Sequence, residues 1–257
     1  VSDKQNESRQ AHCETHGDYT STFFAMPFSG SGIWSKCPEC SREHAEKQER
    51  DRLEAEERDR RRRWEAKIQH AAIPDRFQDR TLANYVVECD GQRHALEFAT
   101  AFASAFEQGR SSRCAIFSGE AGTGKTHLAV GIALRIMHRY NRSAAFTTVQ
   151  RYIRAVRDTW SRDSELSESE VVRHYAEPDL LILDEVGVQA GSENEKLILF
   201  DLLNERYEKR KSTLMLTNLT VDECRAFLGE RVFDRLREDG GEFVPFTWES
   251  QRGKKAA

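Results

Sequence analysis

Short apolar runs punctuate a chain that is otherwise mostly polar or charged. Cys114-Ala115-Ile116-Phe117, Leu180-Leu181-Ile182-Leu183 and Leu214-Met215-Leu216 are too short for helices. Their continuous rather than alternating hydrophobicity is that of strands buried on both faces. With Ala144–Thr148 and a stretch near Glu242–Thr247 they give strand candidates at Arg113–Ser118, Ala144–Thr148, Leu180–Asp184, Thr213–Thr217 and Glu242–Thr247. Helical patterns separate them, for example Arg93–Gln108, Leu128–Leu134 and Glu193–Lys211. Strands alternating with helices predict an α/β fold, a largely parallel sheet covered on both faces.

The amino-terminal part has another character. Ser41 to Lys67 is almost entirely charged and holds no Pro or Gly. It offers acid-first i,i+4 pairs: Glu43–Lys47, Glu46–Arg50, Glu54–Arg58, Glu56–Arg60, Glu57–Arg61 and Asp59–Arg63. Each such pair contributes only about 0.2–0.5 kcal/mol, but together they support an exposed helix. Apolar positions are too sparse for a coiled-coil seam. A helical connector is therefore predicted over residues 41–70, between a small module at 1–40 and an α/β domain at 71–257. Tyr19, Phe23, Phe24, Phe28 and Trp34, with Gly17, Gly30 and Gly32, make the first module β-rich.

A length of 257 residues suits that division. The formal charge of −4 advertises no global basic field, so any nucleic-acid contact must be local. No signal peptide and no membrane-spanning apolar run are evident, which places the chain in a reducing cytoplasm, away from membranes. There, clustered cysteines and histidines mean metal rather than disulfide. Cys13-x-x-His16 and Cys37-x-x-Cys40 are separated by 20 residues. Two-residue gaps let both donors of a knuckle reach one ion, and Cys₃His is a closed tetrahedral zinc set with no open catalytic position. His12 and His44 are neighbouring alternatives. The module is too small to fold readily without the metal. Cys89, Cys114 and Cys224 stand alone and read as core or surface residues.

The densest chemistry is Gly119-Glu120-Ala121-Gly122-Thr123-Gly124-Lys125-Thr126, which matches the phosphate-binding pattern G-x-x-x-x-G-K-[ST]. It lies between a strand candidate and a helical pattern, as the motif requires. Its glycines let backbone N–H groups close on phosphate oxygens, at a helix end that favours anions. Lys125 reaches the β/γ-phosphates and the Thr126 hydroxyl binds Mg²⁺ in such loops. Asp184, at the end of an apolar strand, suits the Mg²⁺ water shell; Glu185 suits polarisation of the attacking water. Asn218 follows a third strand and is placed either to contact the γ-phosphate or to cap the next turn. In Gly229–Arg237, Arg231 or Arg235 has the chemistry to stabilise charge on a transferring phosphoryl group.

The order GEAGTGKTHL, LLILDEVG, LMLTNL, GERVFDRLRE and WESQR resembles the DnaC-like bacterial and phage helicase loaders, a branch of the AAA+ ATPases related to IstB-like transposition helpers. The similarity runs from about Ile73 to Arg252 and includes Ile73–Phe77 and Thr81–Tyr85 ahead of the core. The resemblance implies an AAA+ strand order and an ATPase whose sites form at subunit contacts. Its cofactors are ATP and Mg²⁺. Its partners are a hexameric DnaB-like replicative helicase, single-stranded DNA and further copies of the chain. Lys125 and Thr126 correspond to Walker A, with His127 beside them. Asp184 and Glu185 correspond to Walker B, Asn218 to sensor 1, and Arg235 to the trans-acting arginine, with Arg231 in the same box. Arg252 falls at the sensor 2 position, although Gln251 replaces the usual preceding tyrosine. Some loaders carry an amino-terminal zinc domain that grips the helicase, so protein binding is favoured for residues 1–40, with DNA binding as the alternative.

The resemblance also implies DNA contact on the helix after Ala144–Thr148, a region that faces single-stranded DNA in DnaC-like proteins. Arg151, Arg154 and Arg157 are spaced to line one side, and Tyr152 offers a ring to stack on a base. Arg60-Arg61-Arg62-Arg63 with Trp64 is a second basic cluster. A transposition helper that coats duplex DNA and an adaptor that binds ATP as a switch are the competing functions. Glu185 argues against the adaptor. The short tail after Arg252 argues against an initiator with a further duplex-reading domain.

Overall fold

The computed structural model describes residues 7–25, 32–109, 111–187 and 192–253, so Phe28 and Gly30 lie outside the described residues. The chain forms two compact units, Val1–Arg63 and Trp64–Ala257.

In the first unit, β1 (Ser8–Cys13) and β2 (Gly17–Ala25) form an antiparallel hairpin, and β3 (Gly32–Trp34) pairs with the far end of β2. Gly17, at φ +81°, closes the hairpin turn with a backbone that only glycine adopts freely. Phe23 packs on Trp34 at 5.3 Å between ring centroids, and the Arg9 guanidinium covers Trp34 at 4.1 Å. Phe24 faces the other way and is exposed, so the aromatic cluster is thinner than its composition suggests. Helix α1 (Pro38–His70) follows, with Pro38 at its first position, where the missing N–H costs nothing. Of the ion pairs expected along it, Glu54–Arg58 forms at 3.7 Å. Arg52 instead reaches Glu49 at 2.8 Å and Glu56 at 3.7 Å.

The second unit begins with the last turns of α1, where Ile68 is buried and Trp64 packs on the core. Then come α2 (Asp90–Ser104), β4 (Ala115–Gly119), α3 (Lys125–Arg139), β5 (Ala144–Thr148), α4 (Val149–Asp158) and α5 (Glu168–Ala176). β6 (Leu180–Val186), α6 (Glu193–Glu208), β7 (Ser212–Thr217), α7 (Val221–Leu228), α8 (Glu230–Arg237) and β8 (Glu242–Phe246) complete it. All strand pairings in the sheet are parallel, in the order β5-β6-β7-β4-β8. Alternate residues feed two cores. Phe117, Leu180, Ile182, Leu214, Leu216 and Phe246 meet α2 and α3 on one face. Ile116, Leu181, Leu183 and Met215 meet α4 to α8 on the other.

Helix starts follow their caps. Reciprocal capping boxes open α5 (Ser167 with Glu170), α6 (Ser192 with Glu195) and α7 (Thr220 with Glu223). The helix expected from Arg93 begins earlier, at Asp90, because Gln92 Oε1 accepts the N–H groups of Glu88 and Cys89. α6 ends at Glu208, short of the expected Lys211, where Arg210 turns to φ +51°.

Candidate nucleotide and metal sites

The P-loop leaves β4 and enters α3 at the carboxyl end of the sheet. Gly122 and Gly124 have φ of +86° and +96°. A Cβ on Gly122 would lie 2.1 Å from Ser250 Oγ, and one on Gly124 would lie 2.9 Å from the Tyr85 ring. Glycine is needed here both for conformation and for close approach. The loop's carbonyls are engaged from within and from outside: Glu120 O accepts the loop's own Thr123 hydroxyl, Gly122 O the Gln251 N–H, and Thr123 O the Trp248 indole N–H, each at 2.8 Å. That leaves the loop N–H groups to an anion at the start of α3. Lys125, itself buried, donates from Nζ to Gly119 O at 2.6 Å, Glu120 O at 2.9 Å and Asn218 Oδ1 at 3.1 Å. Asn218 therefore does not cap the next turn. Thr220 caps α7, and the Thr217 hydroxyl accepts the Leu219 N–H.

Thr126 Oγ1 donates to Asp184 Oδ2 at 3.2 Å, which puts the two oxygen ligands expected for Mg²⁺ side by side. The strand carrying Asp184 runs two residues past its expected end. Leu183 pairs with Met215 and Val186 with Thr217, so Asp184 and Glu185 together face Leu216 in a bulge. The bulge aims Asp184 at Thr126 and turns Glu185 outward at φ +61°, a conformation uncommon for glutamate. Burial pushes the Asp184 carboxyl up and the Lys125 ammonium down; each partly restores the other's charged form. Charges in so poorly hydrated a site interact more strongly than in water.

The segment before the core closes one side of the loop. His127 Nε2 lies 3.0 Å from both Thr81 O and Asn84 Oδ1, so it carries the proton, and the Tyr85 ring meets its edge at 5.1 Å. The Tyr85 hydroxyl is buried beside Gly124 with no protein partner. The segment after β8 closes the other side, and it brings the Arg252 stem beside Gly122 and its charge near Lys125.

Arg231 and Arg235 line a separate open groove with Phe200, Asn204 and Leu228, and none of its lining residues belongs to the P-loop. Arg235 is held there: its guanidinium donates to Asn204 Oδ1 at 2.5 Å and stacks over Tyr207 at 4.6 Å. The Tyr207 hydroxyl in turn donates to Glu238 at 2.8 Å.

Arg151, Arg154 and Arg157 are exposed along one side of α4, and Arg157 pairs with Glu195 at 2.9 Å. A groove of about 400 Å³ joins Gln150, Arg154, Arg157 and Lys196 to Glu185. The base-stacking role expected of Tyr152 is overturned. Its ring is fully buried, its hydroxyl donates to Ile198 O at 3.4 Å, and its ring packs on Tyr175. Val149, Tyr152, Ile153 and Val156 repeat at i, i+3, i+4 and i+7, the apolar face of an amphipathic helix.

In the first unit, Cys13, His16, Cys37 and Cys40 converge, with their donor atoms all within 4.8 Å of one another. Cys13 and Cys40 sulfurs are 3.5 Å apart, and His16 Nδ1 is 3.8, 3.7 and 3.3 Å from the sulfurs of Cys13, Cys37 and Cys40. Tetrahedral zinc requires about 3.8 Å between sulfurs and about 3.6 Å from sulfur to nitrogen. The donor set fits. Backbone N–H groups of Thr15 and His16 bring the Cys13 thiol down to about 6. The neighbouring Cys13 sulfur pushes Cys40 up to about 12, and Cys13 with Glu43 raises His16 to about 9. This proton competition is what four donors crowded around one point produce, and a divalent cation would relieve it. His12 is turned away, with Nδ1 2.6 Å from Asp18.

A parallel sheet of this order, with a P-loop on β4, carboxylates on β6 and the Lys125–Asn218 contact from β7, defines an ATP-binding P-loop protein of the AAA+ class. More narrowly, residues 43–256 match the family described as IstB-like ATP binding protein, and the chain belongs to it. The replicative helicase loader DnaC of Escherichia coli K12 is 38% identical over 177 residues, which are 69% of this chain and 71% of that one. The crystal structure of the DnaC helicase loader shares the fold at a TM-score of 0.60 and 22% identity, over 67% of this chain and 99% of that one. That of DnaI does so at 0.58 and 21%, over 70% and 94%. No helix among the described residues is long and apolar enough to cross a membrane.

Three contributors carry little local signal of their role. Tyr85 had no signal beyond its place ahead of the core. Trp248 belongs to WESQR, and its indole holds the P-loop. Glu43 is spaced to pair with Lys47, yet its carboxylate lies against His16.

Proposed function

We propose that this chain is an ATP-dependent helicase loader. It binds a hexameric replicative DNA helicase and helps to place it on single-stranded DNA at the start of replication. The observation that carries this reading is 38% identity to the replicative helicase loader DnaC over 177 residues, beside a family match over residues 43–256 that includes the whole nucleotide site. Residues 71–257 act as the ATPase, 41–70 as a connector and 1–40 as the zinc-binding, helicase-gripping module.

In this reading, Gly119 to Thr126 hold the phosphates, His127 and Tyr85 flank the remainder of the nucleotide, and Thr126 and Asp184 hold Mg²⁺. Bound Mg²⁺ neutralises charge on the phosphates. Glu185 orients and deprotonates the attacking water, Lys125 and Asn218 fix the γ-phosphate end, and Arg252 adds positive charge at Gly122. Arg235, assisted by Arg231, serves the site of a neighbouring copy. Its seat in a groove apart from its own P-loop supports that role. Arg151, Arg154 and Arg157 meet the DNA backbone, and the groove that Arg154 and Arg157 share with Glu185 supports a link between DNA and that residue.

The test is size exclusion with light scattering on the chain mixed with the replicative helicase of its host, with and without ATP. A discrete complex that disappears when Cys37 and Cys40 are replaced is the expected outcome. No complex, but ATP-dependent filaments on duplex DNA, would overturn the reading in favour of a transposition helper. In the same preparations Lys125→Ala should lose nucleotide binding. Glu185→Gln should bind ATP while turning over about 100-fold more slowly or worse, the scale of a lost general base.

A further inference from the structure

The Cys₃His cluster contains a fifth participant that does not touch the metal position. Glu43 lies one helical turn beyond Cys40 on the same face of α1, and its Oε1 is 3.1 Å from His16 Nε2. His16 comes from the β1–β2 turn and presents its other nitrogen, Nδ1, to all three sulfurs. The imidazole is thus gripped from both ends: Nδ1 faces the donor set and Nε2 faces a carboxylate. A carboxylate on Nε2 leaves only one useful arrangement, with the proton on Nε2 and a free lone pair on Nδ1.

We propose that Glu43 is a positioning residue for the metal site. It accepts the His16 Nε2–H bond, fixes Nδ1 as the ligand atom, and makes that nitrogen a better donor. The proposal rests on the zinc reading above. As an isolated exposed ion pair, Glu43–His16 would contribute little. Its influence comes through the ligand it orients. It also joins the hairpin turn to α1 by a second tie besides the metal, because Cys40 and Glu43 both belong to that helix.

The experiment uses the full chain and zinc itself, with affinity read by competition against a chromogenic chelator. The variants are Glu43→Ala and Glu43→Gln, with Glu46→Gln as a control on the same helix. Glu43→Ala should weaken zinc binding about 10- to 100-fold and Glu43→Gln by less, while Glu46→Gln stays within about twofold. Cobalt-loaded Glu43→Gln at saturation should keep the absorption of three thiolates and one nitrogen, which shows an intact ligand set. Nitrogen NMR of zinc-loaded wild type should show the proton on His16 Nε2. Unchanged zinc affinity in Glu43→Ala, or a proton on Nδ1, overturns the positioning role while leaving the metal site standing. Failure of the wild-type chain to take up one zinc sinks the metal reading, and this inference with it.

Discussion

The two units of this chain keep their shape by different means. The second stacks apolar layers on both faces of a five-stranded sheet, with Phe102, Phe106, Phe117, Phe233 and Phe246 almost wholly buried. Among the described residues of the first, only Ser21 and Cys37 are buried. One unit draws its stability from area removed from water; the other has almost no such area and instead gathers three cysteines and a histidine, side chains able to hold a metal, at one point. A sequence can therefore carry a fold either as a hydrophobic period or as a ligand spacing.

The sharpest way to break that comparison is metal removal. A strong chelator should unfold the first unit, since structural zinc sites contribute on the order of 10 kcal/mol to folding. Hydrogen exchange should show amides of β1 to β3 losing protection while those of β4 to β8 keep theirs. Loss of protection throughout would mean that the units do not fold separately. The mirror perturbation is Phe117→Ala, which removes a ring packed between Phe98 and Phe246. It should cost the second unit about 3–5 kcal/mol in chemical denaturation and leave zinc affinity unchanged.

The smallest expected effect is a pH dependence confined to the second unit. Burial holds the His127 imidazole below its ordinary value. Below pH 6.5 the unfolded chain takes up a proton that the folded one resists. Stability is then lost as pH falls from about 6.5 toward the folded value, and is fully present above that window. Replacing His127 with Gln should flatten this slope in denaturation curves collected between pH 5 and 7. An unchanged slope would mean that another group controls it.

Much of the second unit was legible because its rules are local. Continuous apolar runs marked the parallel strands, and the P-loop pattern needs only consecutive residues. Boundaries depended on side chains that compete for backbone N–H groups, such as Gln92 in the first turn of α2. Tyr152 carries two competing sequence signals: the i, i+3, i+4, i+7 period that buries it, and the neighbouring arginines that suggest an exposed face; the period decides. Arg206 had no local signal at all. Its guanidinium is fully buried, donating to Thr213 Oγ1 and to the carbonyls of Tyr175, Ala176 and Pro178, each at 3.0 Å. A lone arginine on a helix predicts a solvated tip, and only the carbonyls converging on it from other elements make burial tolerable.

By itself the sequence determined the α/β class, the phosphate loop, the carboxylate strand and the paired Cys/His spacings, because each is written in residue types at fixed short spacings. Tertiary structure decided which long-range partners meet: Asn218 on Lys125, Trp248 and Gln251 against the loop, Glu43 on His16, and Asn204 holding Arg235. Those contacts join residues tens of positions apart. Their geometry depends on sheet order, strand bulges and helix register, which no window along the chain contains.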